Sequence, residues 1–407
     1  MGFRILAINP GATSTKIAIF EDERPLFKKT VPHAMEDLRG YPRVMDQIPY
    51  RRDLILAALE EAGIALGDLS AVVGRGGLLR SIPGGTYRVN ETMVGDMKSA
   101  ARGEHASNLG AVLAKDLGDR AGIPSFIVDP VSVDEMEPVA RISGSPEVER
   151  IRMFHALNHK AVAHRVATEL GRPYEDLNLV VAHLGSGVSV AAHRRGRVVD
   201  VNDAKQEGPF SPERAGGLPT YELVALCYSG RYSFDEMKKN LLSRWGMAAY
   251  LGTKDLQEVE ARARGGDEKA ALLLDAFAYQ VAKEIGAQAT VLEGKGDRVV
   301  LTGGMAHSKE LMAKVIARVS FIAPVAVVPG EEELEALWPR LKNSEKLFTL
   351  SGEAHGLADD ASGAAEKALE RLKALAAIDP TAEPLVTRMT SAAIELRDLT
   401  GELRSYG

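Results

Sequence analysis

Ile5-Leu6-Ala7-Ile8 runs into Asn9-Pro10-Gly11-Ala12-Thr13-Ser14-Thr15-Lys16 and then Ile17-Ala18-Ile19-Phe20. An apolar strand, a tight turn of small and hydroxylated residues, and a second apolar strand follow one another. The design returns in the second half as Leu179-Val180-Val181-Ala182, His183-Leu184-Gly185-Ser186-Gly187 and Val188-Ser189-Val190-Ala191. Such turns expose backbone N–H groups and hydroxyls with no bulky side chain in the way, which is what an oxyanion such as phosphate needs. Gly11 and Lys16 are spaced as in a P-loop, but the second glycine is missing, and a strand continues where a P-loop would open a helix. Two strand-turn-strand copies predict a duplicated core that grips a phosphate tail from both sides.

Outward from these turns, strands and helices alternate. The first half predicts helices over Arg51–Ala65 and Ser107–Leu117, with strands at Ala71–Val73 and Ser125–Val128. The second half predicts a helix from about Met153 to Leu170, a strand at Arg197–Val201, and helices over Thr220–Tyr228 and Glu268–Leu292. Strands at Arg298–Leu301, ending in Thr302-Gly303-Gly304, and at Val325–Val328 complete it. Alternation of this kind predicts α/β layers, and the repeat predicts two related domains. Their expected extents are 1–152 and 153–330. Beyond about Trp338 the β-branched runs stop, and Ala364–Ala377 and Leu385–Leu403 read as amphipathic helices of a peripheral segment, 331–407.

The chain's 407 residues suffice for two cored domains and an appendage. A net charge of −6 offers no basic field for nucleic acid or an anionic membrane. The single cysteine, Cys227, excludes an intrachain disulfide and a thiolate metal cluster, which suits a reducing cytoplasm. No apolar run approaches the ~20 residues of a membrane span, and no signal peptide is legible at the start.

Several polar residues stand where chemistry would need them. Arg75 lies in Val73-Gly74-Arg75-Gly76-Gly77 directly after a strand, and Arg214 lies in the Pro/Gly-rich loop Pro209–Pro219. Arginines on rigid loops at strand ends make good oxyanion ligands. His155 and His159 are four apart, the spacing of a zinc pair, but Ala156 follows His155 where a zinc protease has glutamate. His155, at the expected helix start, reads as facing a cleft; His159 and His164 read as structural. Asp129 ends a strand, and Glu331-Glu332-Glu333 follows Pro329-Gly330. These carboxylates suit Mg²⁺, and the triplet equally suits an ordinary helix start.

Taken together, these segments resemble the acetokinase family, and its butyrate-kinase branch most closely. The resemblance rests on Asn9–Lys16, Gly74–Gly77, Ile82–Tyr87, Gly103–Asn108, Asp129-Pro130 and Phe154–Asn158. His183–Gly187, Gly208–Pro219, Leu301–Gly304 and Ala323–Glu333 carry it through the second half, so that it spans about residues 3 to 337. It implies a duplicated actin-like, ribonuclease H-like (ASKHA) two-domain α/β fold, here with a C-terminal helical extension, closing over ATP and usually dimeric. The implied reaction is ATP plus a short-chain carboxylate giving ADP plus acyl phosphate, with Mg²⁺. By matched position, Asn9, Ser14 and Lys16 would form the first phosphate turn and His183, Gly185 and Gly187 the second. Arg75, His105, Asp129, His155 and Arg214 would line the transfer site. Gly303 and Gly304 would border the adenosine pocket, and Asn9 with Glu332 or Glu333 would place the metal.

Three positions depart from the family pattern. Ala12 replaces a serine, a loss of ~1.5–3 kcal/mol if that hydroxyl bonded a charged phosphate and nothing replaces it. Ser186 replaces the asparagine of acetate kinases, and the segment after Leu337 is unlike the family's short C-terminal helix. An acetate, propionate or branched-chain carboxylate kinase, an actin- or chaperone-like ATP-binding protein and a catalytically silent paralogue stay open on the sequence.

Overall fold

The computed structural model describes residues 3–330 except 23, together with 334, 335, 337 and 390. Glu332 and Glu333 and, apart from Thr390, the expected helices at 364–377 and 385–403 lie outside the described residues.

Both hairpins form as the apolar runs dictate. Strands β1 (Arg4–Pro10) and β2 (Ser14–Glu21) pair antiparallel with Asn9 opposite Lys16, and β2 continues into β3 (Arg24–Pro32). Strands β4 (Ala71–Arg75), β5 (Thr86–Arg88) and β6 (Ser125–Val128) extend this sheet in the order β3-β2-β1-β4-β6-β5. The second sheet holds β7 (Asn178–Leu184), β8 (Val188–Arg194), β9 (Arg197–Val201), β10 (Arg298–Gly303) and β11 (Val325–Pro329). Its order is β11-β10-β7-β8-β9. In each sheet a three-stranded antiparallel meander leads, and its first strand then takes a parallel neighbour, β4 beside β1 and β10 beside β7. That shared topology is the duplication the two turns announce.

β1 is buried on both faces, which is why it reads as an unbroken apolar run. Leu6 and Ile8 pack with Ile55 and Leu59 of the Ile48–Glu61 helix and Leu109 and Leu113 of the Asn108–Ala121 helix. Ile5 and Ala7 face the other way, against Leu157, Leu334 and Leu337. The second sheet lays one face on the long Glu268–Val291 helix through Phe277, Val281 and Ile285. Its other face meets Val162, Ala163 and Val166 of the Ala156–Glu169 helix. That helix therefore lies between the two sheets, touching the first with Leu157, and its first turn opens where the ends of both sheets meet. Among the described residues no helix is long and apolar enough to cross a membrane.

Candidate active site

The first turn is closed by the Gly11 N–H donating to the Ser14 carbonyl at 2.7 Å, with Ala12 and Thr13 exposed at its tip. Beneath it sits a residue the sequence reading passed over. Arg51 is 1% exposed, and its Nη1 donates to the carbonyls of Gly11 (2.8 Å) and Ser14 (3.3 Å) and to Thr15 Oγ1 (3.0 Å). Nη2 reaches the Ala12 carbonyl at 3.4 Å, and the rest of the fork holds Gln47 Oε1. None of these acceptors is a carboxylate. Burial lowers the Arg51 pKa to about 10, so the group stays cationic at neutral pH. The turn that lacks a hydroxyl at Ala12 is thus braced by a buried positive charge, none of whose hydrogen-bond acceptors among the described residues is an anion.

At the adjoining strand ends, Arg75 Nη1 donates to Asn9 Oδ1 at 3.4 Å. Asp129, just past β6, holds a φ of +36°, a conformation that costs a non-glycine residue on the order of 1–3 kcal/mol. Two bonds to one partner hold it there: Oδ1 accepts from Gly85 N at 2.7 Å, and its own N–H donates to the Gly85 carbonyl at 2.9 Å. His105 Nδ1 accepts from the Ser107 N–H at 3.2 Å, so the neutral ring carries its hydrogen on Nε2. Desolvation of the ring, then the charges of Arg75 and Lys205, lower its pKa.

The second lobe supplies the facing half. His183, buried in β7, donates through Nδ1 to Asn158 Oδ1 at 2.7 Å, and its ring stacks on His155 at 3.8 Å between centroids. His155 is the residue before the Ala156–Glu169 helix, not within it as the Met153 start would have it. The loop carrying Arg214 is pinned to the second turn, Ser211 Oγ donating to the Ser186 carbonyl at 2.6 Å and accepting from Arg214 N at 3.1 Å. Arg214 Nη1 donates to the Ala204 carbonyl at 3.0 Å. Burial lowers the Arg214 pKa, while Glu213 and Asp203 oppose the shift. His155 lies well below the ordinary imidazole range, first by burial, then through His183, His159, Arg75 and Arg214. One cation from each lobe thus acts on a single imidazole.

Gly187 explains how Arg214 fits. A Cβ there would stand 2.4 Å from Arg214 Nη1, so the guanidinium lies in the space a side chain would fill. Gly187→Ala is expected to push the arginine head aside and lower kcat by ~10- to 100-fold, the scale of an ångström of misplacement. Steady-state kinetics would show this, and unchanged turnover would mean that the guanidinium does not need this seat.

Beside the second turn opens a cavity of about 730 Å³, lined by Gly185, Ser186, Gly304, His307, Lys254 and Arg264 among others. Gly303, at φ +92°, lies close against the Leu184 backbone, where a Cβ would come within 2.4 Å of the carbonyl oxygen. It brings the end of β10 onto the end of β7, and the next residue, Gly304, lines this cavity. Volume, glycine rim and mixed charge suit a nucleoside with its phosphates directed at the turn. Lys254 and Arg264 lie outside the strand-turn-strand pattern, and the sequence reading passed over them. Among the described residues no cluster of three or more histidine, cysteine or carboxylate side chains is arranged to hold a metal.

The model of the Acetokinase family matches residues 147–326. The structure is similar to that of an acetate kinase from Porphyromonas gingivalis, with a TM-score of 0.69 at 20% identity over 84% of this chain and 99% of that one. A propionate kinase from Francisella tularensis subsp. tularensis SCHU S4 aligns with a TM-score of 0.65 at 19% identity over 83% and 98%. An acetate kinase from Entamoeba histolytica gives 0.66 at 15% identity over 84% and 99%. Residues 147–326 thus carry the pattern of the acetokinase family, whose members are carboxylate phosphotransferases, on a chain with the fold of the acetate and propionate kinases.

Proposed function

We propose that this chain transfers the γ-phosphoryl of ATP to a short-chain carboxylate, butyrate first among them, giving acyl phosphate and ADP reversibly. The observation that carries this reading is that Arg75 bonds Asn9 beside the first turn, Arg214 fills the space at Gly187 of the second, and both charges act on the buried ring of His155. A carboxylate is ionised at pH 7 and needs no general base. The barrier is charge: two unit charges ~4 Å apart repel by about 4 kcal/mol at an effective dielectric of 20. Preorganised cations and N–H donors lower that barrier as charge spreads over the equatorial oxygens. In this reading Arg75 and Arg214 hold the carboxylate and the transferring phosphoryl, and His105 donates through Nε2. Lys16, Ser14 and the amides of both turns take the β- and γ-phosphates. Asp129, fixed on Gly85, orients the acceptor side of the cleft.

Mg²⁺, which the family resemblance implies, offsets β/γ charge when bound. It takes one or two protein oxygens with phosphates and water rather than a closed protein cage. Asn9 Oδ1, a carbonyl-type oxygen beside the first turn, suits it, with Glu332 or Glu333 as the expected acidic partner. The same reading makes the lobes 1–152 and 153–330 the two jaws. Exposed aromatic side chains, with Tyr221 82%, Tyr228 88% and Phe234 81% exposed, support a homodimer. A reducing cytoplasm suits the exposed Cys227 thiol.

Preference for butyrate is supported by Ser186 and by the Gly74–Tyr87 and Glu207–Pro219 runs; the acetate or propionate reading is favoured by the structural neighbours. Acyl-hydroxamate formation across acids of two to six carbons separates them. A four-carbon optimum is expected, with kcat/KM falling about fourfold for each CH₂ removed, the worth of ~0.8 kcal/mol per buried methylene. A two- or three-carbon optimum assigns the other acid, and ATP hydrolysis indifferent to any acid assigns an actin-like role.

A further inference from the structure

Behind His155 runs a line of hydrogen bonds that the reaction as described does not use. His155 Nδ1 lies 2.9 Å from Ser189 Oγ, and the same oxygen lies 2.8 Å from His159 Nε2. His159 Nδ1 faces His193 Nε2 at 3.3 Å, and His193 Nδ1 faces the Tyr174 hydroxyl at 2.7 Å. Elementary periodicity places these groups. His155 and His159 are one helical turn apart, while Ser189 and His193 are four apart on β8 and share a face of the sheet. Ser189, His159 and His193 are each 0% exposed, and Tyr174 is 2% exposed. Burial, followed by the neighbouring histidines and Lys160, keeps His159 and His193 far below the ordinary imidazole range, so both are neutral at pH 7.

A neutral imidazole has one donor and one acceptor nitrogen, so fixing one proton fixes the whole line. The Tyr174 phenol is a far stronger acid than a neutral imidazole N–H, so at 2.7 Å its hydroxyl donates and His193 Nδ1 accepts. His193 then carries its hydrogen on Nε2 and donates to His159 Nδ1. That leaves the His159 hydrogen on Nε2, which donates to Ser189 Oγ. Ser189 Oγ, having accepted from His159, donates to His155 Nδ1. We propose that Tyr174, His193, His159 and Ser189 are positioning residues that hold His155 as the Nε2–H tautomer, so that a neutral N–H donor faces the transferred phosphoryl. The tautomer follows from the line of contacts and the acidity of the phenol that ends it; its use in phosphoryl transfer rests on the function proposed above.

The test is ¹⁵N NMR of the full chain labelled at histidine, with His155 assigned by loss of its signals in His155→Asn. The expected spectrum shows protonated Nε2 and bare Nδ1 for His155, and the opposite assignment overturns the proposal. Ser189→Ala is expected to shift proton density onto His155 Nδ1. It is also expected to lower kcat at least about tenfold, against the ~10²–10⁴ a positioned proton donor contributes, with KM for ATP changed less than twofold. An unaltered tautomer or an unaltered kcat in that variant also overturns it. Should Ser189→Ala fail to fold, Tyr174→Phe keeps the ring and removes only the distal hydroxyl. It is expected to release the His193 and His159 tautomers from their single form, and if both stay fixed the line is not organised from Tyr174. The stated tautomer in a chain that phosphorylates no carboxylate would separate failure of the function from failure of the positioning.

Discussion

Arg214→Ala is expected to lower kcat by ~10³ or more while KM for ATP moves only a few-fold, the range seen when an arginine that stabilises a phosphoryl-transfer transition state is removed. The guanidinium is held over the second turn by the Ala204 carbonyl at 3.0 Å and by the missing side chain of Gly187, and its charge, like that of Arg75, holds the His155 pKa down. Burial makes its charge costly to hold, and that cost is recovered when anionic oxygens enter the cleft. Arg214→Lys retains charge and loses the planar fork, so it should fall between the wild type and alanine. Near-normal turnover of Arg214→Ala would take this residue out of the chemistry, and near-normal turnover of the lysine variant would reduce its part to a point charge. Gly187→Ala should move kcat in the same direction by less, because the displaced head can still swing back.

The parts of this molecule that were legible in the sequence are those where one segment carries its own signal. Both hairpins read correctly because strands buried on two faces leave unbroken apolar runs and their turns need small residues. β3 escaped because Arg24-Pro25-Leu26-Phe27-Lys28-Lys29 is an edge, and edges carry charge and proline to discourage further pairing. The Ile48–Glu61 helix begins earlier than the expected Arg51 because Pro49 suits a first turn, and it ends before Gly63, which sits at φ +67°. The Glu91–Ser99 helix was passed over although Asn90 caps it by accepting from Met93 N at 2.8 Å. Arg75, His155 and Arg214 could be picked out because they stand where regular structure stops: at the last residue of β4, just before the Ala156–Glu169 helix, and in the Pro209–Pro219 loop. Arg51, Ser189 and His193 could not. They lie inside regular elements, and what they do depends on a partner 34 to 40 residues away, a turn above the helix for Arg51 and a helix packed on the strand for Ser189 and His193.

Lys160→Met is expected to destabilise the chain by ~3–5 kcal/mol, the cost of breaking a buried ion pair from one side. Lys160 and Glu135 have side chains 2% and 6% exposed, with Nζ 2.7 Å from Oε2 and 3.0 Å from Oε1. The carboxylate also accepts from Gly84 N at 2.9 Å and from Val198 N at 2.7 Å. One buried anion therefore joins the loop before β5, strand β9 and the helix that opens at His155. Removing the ammonium leaves that anion in a dry site with two N–H donors and no counter-charge. Urea unfolding would give the magnitude, and the double variant Lys160→Met with Glu135→Gln tests the cause. Glutamine removes the stranded charge, and it leaves one N–H facing an amide donor at about 1–3 kcal/mol, less than the charge itself costs. The second substitution should therefore restore part of what the first removes. A double variant no more stable than Lys160→Met alone would mean that the loss comes from packing around the lysine stem. Because Gly84 is followed by Gly85, whose N–H and carbonyl hold Asp129 in its strained conformation, Lys160→Met should also depress kcat at temperatures where the fold is still fully populated.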